Sequence, residues 1–202
     1  MQRPEWFERD VSRETLDALA EYANLLARWT VKINLIAKST IDDIAHRHIW
    51  DSAQVYTDGG DSWTDLGSGG GLPGVVMAIL AKGEGRALQM ALVESDQRKA
   101  TFLRTCSRTL DLPITVLPQR VEDIAPQASD TISARALADL NQLLHLATPH
   151  MAPAGRCIFM KGAQWQEEVA AAQANWRFSY EAKPSMTHPQ AAILTIGDIK
   201  RV

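Results

Sequence analysis

The run Asp65-Leu66-Gly67-Ser68-Gly69-Gly70-Gly71-Leu72-Pro73-Gly74 sets an acid before four glycines in five positions, with a proline just beyond them. Glycines at that density let a backbone turn sharply and approach a ligand with no Cβ in between. A helix that starts after such a loop presents N–H groups and positive potential to whatever the loop holds. A phosphate-binding P-loop needs Gly-Lys-Ser/Thr at its end, and no lysine follows here. A dinucleotide fingerprint is matched formally by Gly69-Gly70-Gly71-Leu72-Pro73-Gly74, but Pro73 takes a donor out of the pyrophosphate cradle. Asp65 is a poor neighbour for a diphosphate and a good one for a ligand with a cationic amino group. About 30 residues on, Glu94 closes a strand, where a carboxylate can accept both hydroxyls of a ribose. Val121-Glu122, after the next strand, can flank an adenine ring, although Glu122 also suits the start of a helix.

These residues need a frame that brings strand ends together. The first 60 residues read as a helical extension. Leu16, Leu19, Ala23, Leu26 and Trp29 recur at spacings of three and four, giving one apolar face. A second helix is expected from Ser39, with Asp42 as its capping-box partner and Ile41, Ile44, Ala45, His48 and Val55 on one side. Asp58-Gly59-Gly60-Asp61 breaks that pattern.

From residue 61 to 202 short apolar strands alternate with helices. Strands are expected at Trp63–Leu66, Ala87–Val93, Ile114–Leu117, Thr131–Ala134, Cys157–Met160, Phe178–Ala182 and Ala191–Ile199. Helices are expected after Pro73, after a Ser95 cap with Phe102, Leu103, Cys106 and Leu110 inside, at Leu137–Leu146 and at Glu167–Trp176. Such alternation predicts an α/β fold, a mostly parallel, Rossmann-like sheet with helices on both faces. Its ligand crevice lies at the carboxyl ends of the strands. The residues to watch are therefore Asp65 to Gly74, Glu94 to Asp96, Arg120 to Glu122, Arg135 and Lys161.

The motif Asp65-x-Gly67-x-Gly69-x-Gly71 resembles the first motif of S-adenosylmethionine-dependent methyltransferases. More specific blocks narrow this. They are Leu26-x-x-Trp29 with Lys32-Ile33-Asn34-Leu35, Arg47-His48-Ile49-Trp50-Asp51-Ser52, the glycine loop, and Arg98-Lys99 ahead of Phe102-Leu103-Arg104. Arg120-Val121-Glu122, Ser133-Ala134-Arg135-Ala136 and Met160-Lys161-Gly162 follow in order. Over Leu16 to Ile199 the chain resembles the ribosomal RNA small-subunit methyltransferase G family, also called glucose-inhibited division protein B. That resemblance implies a class I methyltransferase with a seven-stranded sheet, acting on N7 of a guanine in the decoding-site loop of 16S rRNA. It also implies S-adenosylmethionine contacts at Gly67, Leu72, Val121, Glu122 and Arg135, to which the loop and ribose arguments add Asp65, Gly69 and Glu94. The family's Trp-Asn and Asn-Leu-Thr read Trp29-Thr30 and Asn34-Leu35-Ile36 here.

The chemistry implied is one of alignment, so no catalytic acid or base is assigned. A guanine N7 lone pair needs no deprotonation, and positioning alone is worth up to about 7–11 kcal/mol. Exocyclic-amine methylases are expected to carry Asn/Asp-Pro-Pro-aromatic where this chain has Ser133-Ala134-Arg135-Ala136. A pyrimidine C5 methylase needs a cysteine nucleophile, and Cys157 lies in an apolar run. The product base is cationic, so the cations Arg47, Arg135 and Lys161, and less strongly His48, are assigned to RNA phosphates. Trp29 and Trp50 could stack on a base, but their helical spacing assigns them to the core. Two other readings stay open: a methyltransferase of this fold acting on a small molecule or protein, and a non-catalytic or NAD-binding Rossmann protein.

Composition sets outer limits. The 202 residues carry 21 Lys+Arg against 24 Asp+Glu, a formal charge of −3. Coating RNA by bulk charge is thereby excluded, since counterion release needs many cations on one face. Recognition of a shaped small-subunit surface is expected instead. No apolar run approaches the roughly 20 residues of a membrane span, and the first ten residues hold no apolar signal core. A monomeric, cytoplasmic protein is expected. Cys106 and Cys157 lack CxxC spacing and neighbouring histidines, so buried reduced thiols are expected rather than a disulfide or a metal site.

Overall fold

The first long apolar stripe forms α1 (Arg13–Ile33). The Ser12 hydroxyl accepts from the Thr15 N–H at its start, and Asn34, left-handed at φ 48°, returns its own N–H to the Thr30 carbonyl. Leu19, Ala23 and Leu26 are buried, while Leu16 and Trp29 are half-buried. This is a computed structural model, and it describes residues 1–57 and 60–202. The break expected at Asp58-Gly59-Gly60-Asp61 thus falls partly on residues 58 and 59, outside the described residues.

The second helix differs from expectation. A 3-10 turn at Lys38–Asp43 leads into a π-helical segment at Ala45–Trp50 and the single turn α2 (Asp51–Ala53). Neither Ser39 nor Asp42 caps it, because no side chain caps the turn that begins at Lys38. The wider π-helical turn places Ile49 and Trp50 in the core, with Trp50 against Phe7 at 5.4 Å between ring centroids. Trp29 packs on Phe102 at 5.5 Å. Both tryptophans serve the core, as their spacing implies. The two departures from the family pattern are core positions too: Thr30 is fully buried and donates to the Leu26 carbonyl (2.7 Å), and Ile36 joins the apolar interior.

Among the described residues seven strands follow: β1 (Ser62–Leu66), β2 (Gln89–Val93), β3 (Ile114–Leu117), β4 (Ser129–Arg135), β5 (Met151–Lys161), β6 (Trp176–Pro184) and β7 (Ala192–Arg201). They form one sheet in the order β3-β2-β1-β4-β5-β7-β6. The first five run parallel, and β7 is antiparallel to both of its neighbours. Between them lie α3 (Gly74–Gly83), α4 (Gln97–Thr109), α5 (Leu140–Ala147) and α6 (Trp165–Ala172). Strand order reverses between β1 and β4, which puts the crevice expected of such sheets beside the glycine loop.

Several boundaries move for local reasons. Asp96, not Ser95, caps α4, since its carboxylate reaches the N–H groups of both Arg98 and Lys99. Helix α5 begins only at Leu140, after Asp139 accepts from the Gln142 N–H, and Leu137 is left exposed. Trp176 leaves the expected Glu167–Trp176 helix to open β6, with its indole N–H on Asn141 (3.0 Å). Cys106 and Cys157 are free and buried.

Two apolar clusters fill the faces of the sheet. One joins α1 and the α2 region to α3, α4 and the strands above them, through Tyr22, Leu26, Ile49, Val76, Ile79 and Phe102. The other joins α5 and α6 to the opposite face through Leu143, Leu144, Phe159 and Val169. Helix α3 is buried from Gly74 to Ala81, which explains its unbroken apolar run.

Candidate functional site

The glycine loop is built from beneath. Asp65, the last but one residue of β1, is fully buried, and parallel pairing sets it beside Ser133 of β4. The Ser133 hydroxyl, itself taking the Trp63 indole N–H (2.8 Å), donates to Asp65 Oδ1 at 2.6 Å. Asp65 Oδ2 accepts the Gly74 N–H at 3.4 Å. Burial pushes this carboxyl up to about 6, against the pull of Ser133, Ser68, Gly74 and Arg135. Gly74 leaves room for this arrangement, because a Cβ there would lie 2.3 Å from Leu92 and 3.0 Å from Asp65.

The loop is then held from the sides. Tyr22, fully buried on α1, donates its hydroxyl to the Gly70 carbonyl at 2.5 Å. Burial holds the Tyr22 phenol well above its ordinary range, so it remains a donor. The Gly69 N–H donates to Glu94 Oε2 at 2.8 Å, and Glu94 Oε1 takes the Asp96 N–H at 2.8 Å. Ser68 closes the turn through its hydroxyl on the Asp65 carbonyl (2.9 Å) and its N–H on the Val93 carbonyl (2.9 Å). Gly69 is the open tip: φ is +54°, and an added Cβ would meet only the Gly67 carbonyl, at 3.8 Å.

The helix behind the loop has already spent its first donors. Gly74 N–H goes to Asp65 and Val75 N–H to the Gly71 carbonyl (2.8 Å). A buried carboxylate under a helix start whose N–H groups are paired opposes a diphosphate. It is compatible with a ligand whose charge is positive.

Leu72 is buried in the same loop. Val121 and Glu122 lie in a short 3-10 turn after β3, Val121 buried and Glu122 exposed. They share the strand-end edge with Glu94, since β3 pairs with β2 up to Leu117 opposite Val93.

Arg135 ends β4 and faces a cleft of about 530 Å³ that also takes in Arg47, His48, Asp51, Lys161 and Thr187. One Arg135 nitrogen lies 3.3 Å from Asp51 Oδ2, and both terminal nitrogens lie 3.4 Å from His48 Nδ1. Asp51 Oδ1 accepts from the Thr187 hydroxyl and from Gln54 (3.2 Å). The Met186 N–H in turn donates to Gln54 Oε1 at 2.6 Å, so the β6–β7 hairpin is tied to α2 across the cleft. Arg47 is exposed. Lys161 is otherwise: its ammonium is buried, 2.5 Å from Glu168 and 2.9 Å from the Ala138 carbonyl. Glu168 also accepts the Leu140 N–H (2.8 Å). Lys161 thus braces the cleft wall.

Tyr22, Ser133 and Thr187 line this site although nothing local in the sequence gives them their partners. Ser133 sits inside a recognisable block, but its partner is 68 residues away; Tyr22 reads as one more position of an apolar stripe. Only the fold reveals these pairs.

The family model described as rRNA small subunit methyltransferase G matches residues 15–195. A relative from Cereibacter sphaeroides, named ribosomal RNA small subunit methyltransferase G, is 52% identical over 96% of this chain and 94% of its own length. Among solved structures, M. jannaschii TYW2 in complex with AdoMet superposes with a TM-score of 0.56 at 12% identity, over 86% of this chain and 80% of that one. The 16S rRNA methylase RmtB gives 0.54 at 15% identity, over 94% and 76%. The fold is therefore that of the class I S-adenosylmethionine-dependent methyltransferases.

Proposed function

The chain belongs to the rRNA small subunit methyltransferase G family, and from that premise we propose that it methylates N7 of a guanine in the decoding-site loop of 16S rRNA, with S-adenosylmethionine as donor. The observation that carries this reading is the glycine loop. Its tip is open at Gly69, Glu94 lies beside that tip, and a buried acid lies where a dinucleotide site needs free N–H donors. The same loop opposes the NAD-binding alternative.

In this reading Gly67, Gly69 and Leu72 line the methionine and ribose portions of the donor. Glu94 turns its remaining lone pairs to the ribose hydroxyls, and Val121 and Glu122 border the adenine. Asp65 acts one layer down, fixing the loop through Gly74 and adding negative potential beneath a cationic ligand. Bound S-adenosylmethionine supplies a sulfonium methyl group, which the guanine N7 lone pair takes up as the C–S bond breaks and its electrons stay on sulfur. The chain has no proton to move, because N7 carries none. Its task is to hold the base in line, and the cleft beside Arg135 has the volume for one nucleotide. Arg135 stands at the junction of loop and cleft, and Arg47 offers an exposed cation to a phosphate. Lys161 reaches RNA only on leaving Glu168. The partner is the small ribosomal subunit, met by a protein acting as a monomer in the cytoplasm.

The test is made in cells that lack this chain. Digests of their 16S rRNA should miss one 7-methylguanosine, regained with the wild-type chain and not with Gly69→Asp. An unchanged 7-methylguanosine content would overturn the proposal.

A further inference from the structure

The imidazole of His48 has a tautomer that its neighbours dictate. Thr40 Oγ1 donates its one proton to the Ala37 carbonyl (2.7 Å), so toward His48 Nε2, 2.6 Å away, it can only accept. Nε2 must therefore carry a proton. On the other side Nδ1 faces two guanidinium nitrogens of Arg135, each 3.4 Å away, and a guanidinium only donates. Nδ1 must therefore carry a lone pair. The π-helical segment that holds His48 makes this possible, as it brings the ring between Thr40 of the preceding turn and Arg135 of β4. Segments of this kind are often found at functional sites.

We propose that His48 is a positioning residue for methyl transfer: a neutral Nε2–H imidazole whose Nδ1 lone pair, together with Asp51, fixes the Arg135 guanidinium at the edge of the cleft. His48 is thereby taken from the set of phosphate-binding cations and given a role through Arg135. This rests on the reading of Arg135 given above. The charged groups around the ring are Arg135 from β4, Arg47 and Asp43 from its own segment and the turn before it, and Asp51 from α2. Burial, then Arg135 and Arg47, hold the imidazole down at about 4, with Asp43 opposing. A proton on Nδ1 would both remove the acceptor and set a like charge against Arg135.

The decisive measurement is 15N NMR of the free protein labelled at histidine, followed by variants. His48 should show a protonated Nε2 and a bare Nδ1 at neutral pH, unchanged on acidification to about pH 5, about one unit above its own titration. In Arg135→Ala the titration should move upward. In methyl transfer, His48→Phe should lower kcat/KM by about ten- to a hundredfold, the scale on which misplaced groups act. His48→Asn, whose Oδ1 can stand where Nδ1 stood, should recover most of that loss. In the Arg135→Ala background His48→Phe should cost nothing further. A proton on Nδ1 at neutral pH, additive losses in the double variant, or no difference between Asn and Phe would each overturn the proposal. Wild-type transfer by Arg135→Ala would overturn it as well, and would do so by removing the role of Arg135 while leaving the observed tautomer in place.

Discussion

At the scale of single residues, the site places polar groups where the solvent cannot reach them. Asp65 is the clearest case. Its carboxyl is raised from 3.8 to about 6 by burial, so the folded protein holds its proton at pH values where the unfolded chain has lost it. As pH rises from about 4 to about 6 the Asp65 contribution to stability therefore falls, and beyond about 6 the loss is constant. Two pKa units correspond to about 3 kcal/mol. His48, held down at about 4, contributes with the opposite sign over the same window, so the test is a difference. In chemical denaturation from pH 4 to pH 6 the wild type should lose stability relative to Asp65→Asn, and a constant or growing advantage of the wild type would count against the assignment. Gly69 sits at the other extreme, with open space over its Cα. Asp at this left-handed position should cost about 1–2 kcal/mol of stability. It should also weaken S-adenosylmethionine binding by at least about a hundredfold, about 3 kcal/mol. Calorimetric titration that finds the affinity unchanged would remove the loop from the site.

At the scale of elements, the loop is a junction rather than a free turn. Helix α1 reaches it through Tyr22, and β4 reaches it through Ser133. Tyr22→Phe keeps the ring and its packing but strips the Gly70 carbonyl of a buried donor, which costs about 1–3 kcal/mol. The thermal midpoint should drop and S-adenosylmethionine should bind several-fold more weakly; a variant with normal affinity would show that α1 does not set the loop. The strand–helix rhythm and the loop itself were legible because hydrophobic period and glycine spacing are local. Leu19, Ala23 and Leu26 announced α1, and Asp65 to Gly74 announced the sharp turn between β1 and α3. Over residues 38–53 helical character was legible but its kind was not, since the break into a 3-10 turn and a π-helical segment forms under packing of Ile49 and Trp50. The end of α6 failed for a related reason: Trp176 fits a helical stripe, but its indole N–H finds Asn141 only in β6. The burial of Lys161 was equally hidden, because its partner Glu168 lies on a helix that the sequence placed without orienting.

At the scale of the molecule, the helical extension and the sheet share one interior. Tyr22, Leu26, Ile49 and Trp50 belong to the same apolar cluster as Val76, Ile79 and Phe102. Residues from the extension also hold the loop and Arg135. Differential scanning calorimetry should therefore give one cooperative unfolding transition whose calorimetric and van't Hoff enthalpies agree. Two separable transitions would mean that the extension folds apart from the sheet. Among the described residues no helix is long and apolar enough to cross a membrane. With a formal charge of −3 the surface has little general attraction for polyanions. In the proposed reading, selectivity comes from the shape of the cleft and its few placed cations. The direct measurement is transfer of labelled methyl groups from S-adenosylmethionine to small ribosomal subunits that lack this modification, followed by nucleoside analysis of their 16S rRNA. Label appearing as 7-methylguanosine at a single decoding-loop position is the result expected. Label on another base, on ribosomal protein, or nowhere while S-adenosylmethionine still binds would contradict the assignment of substrate.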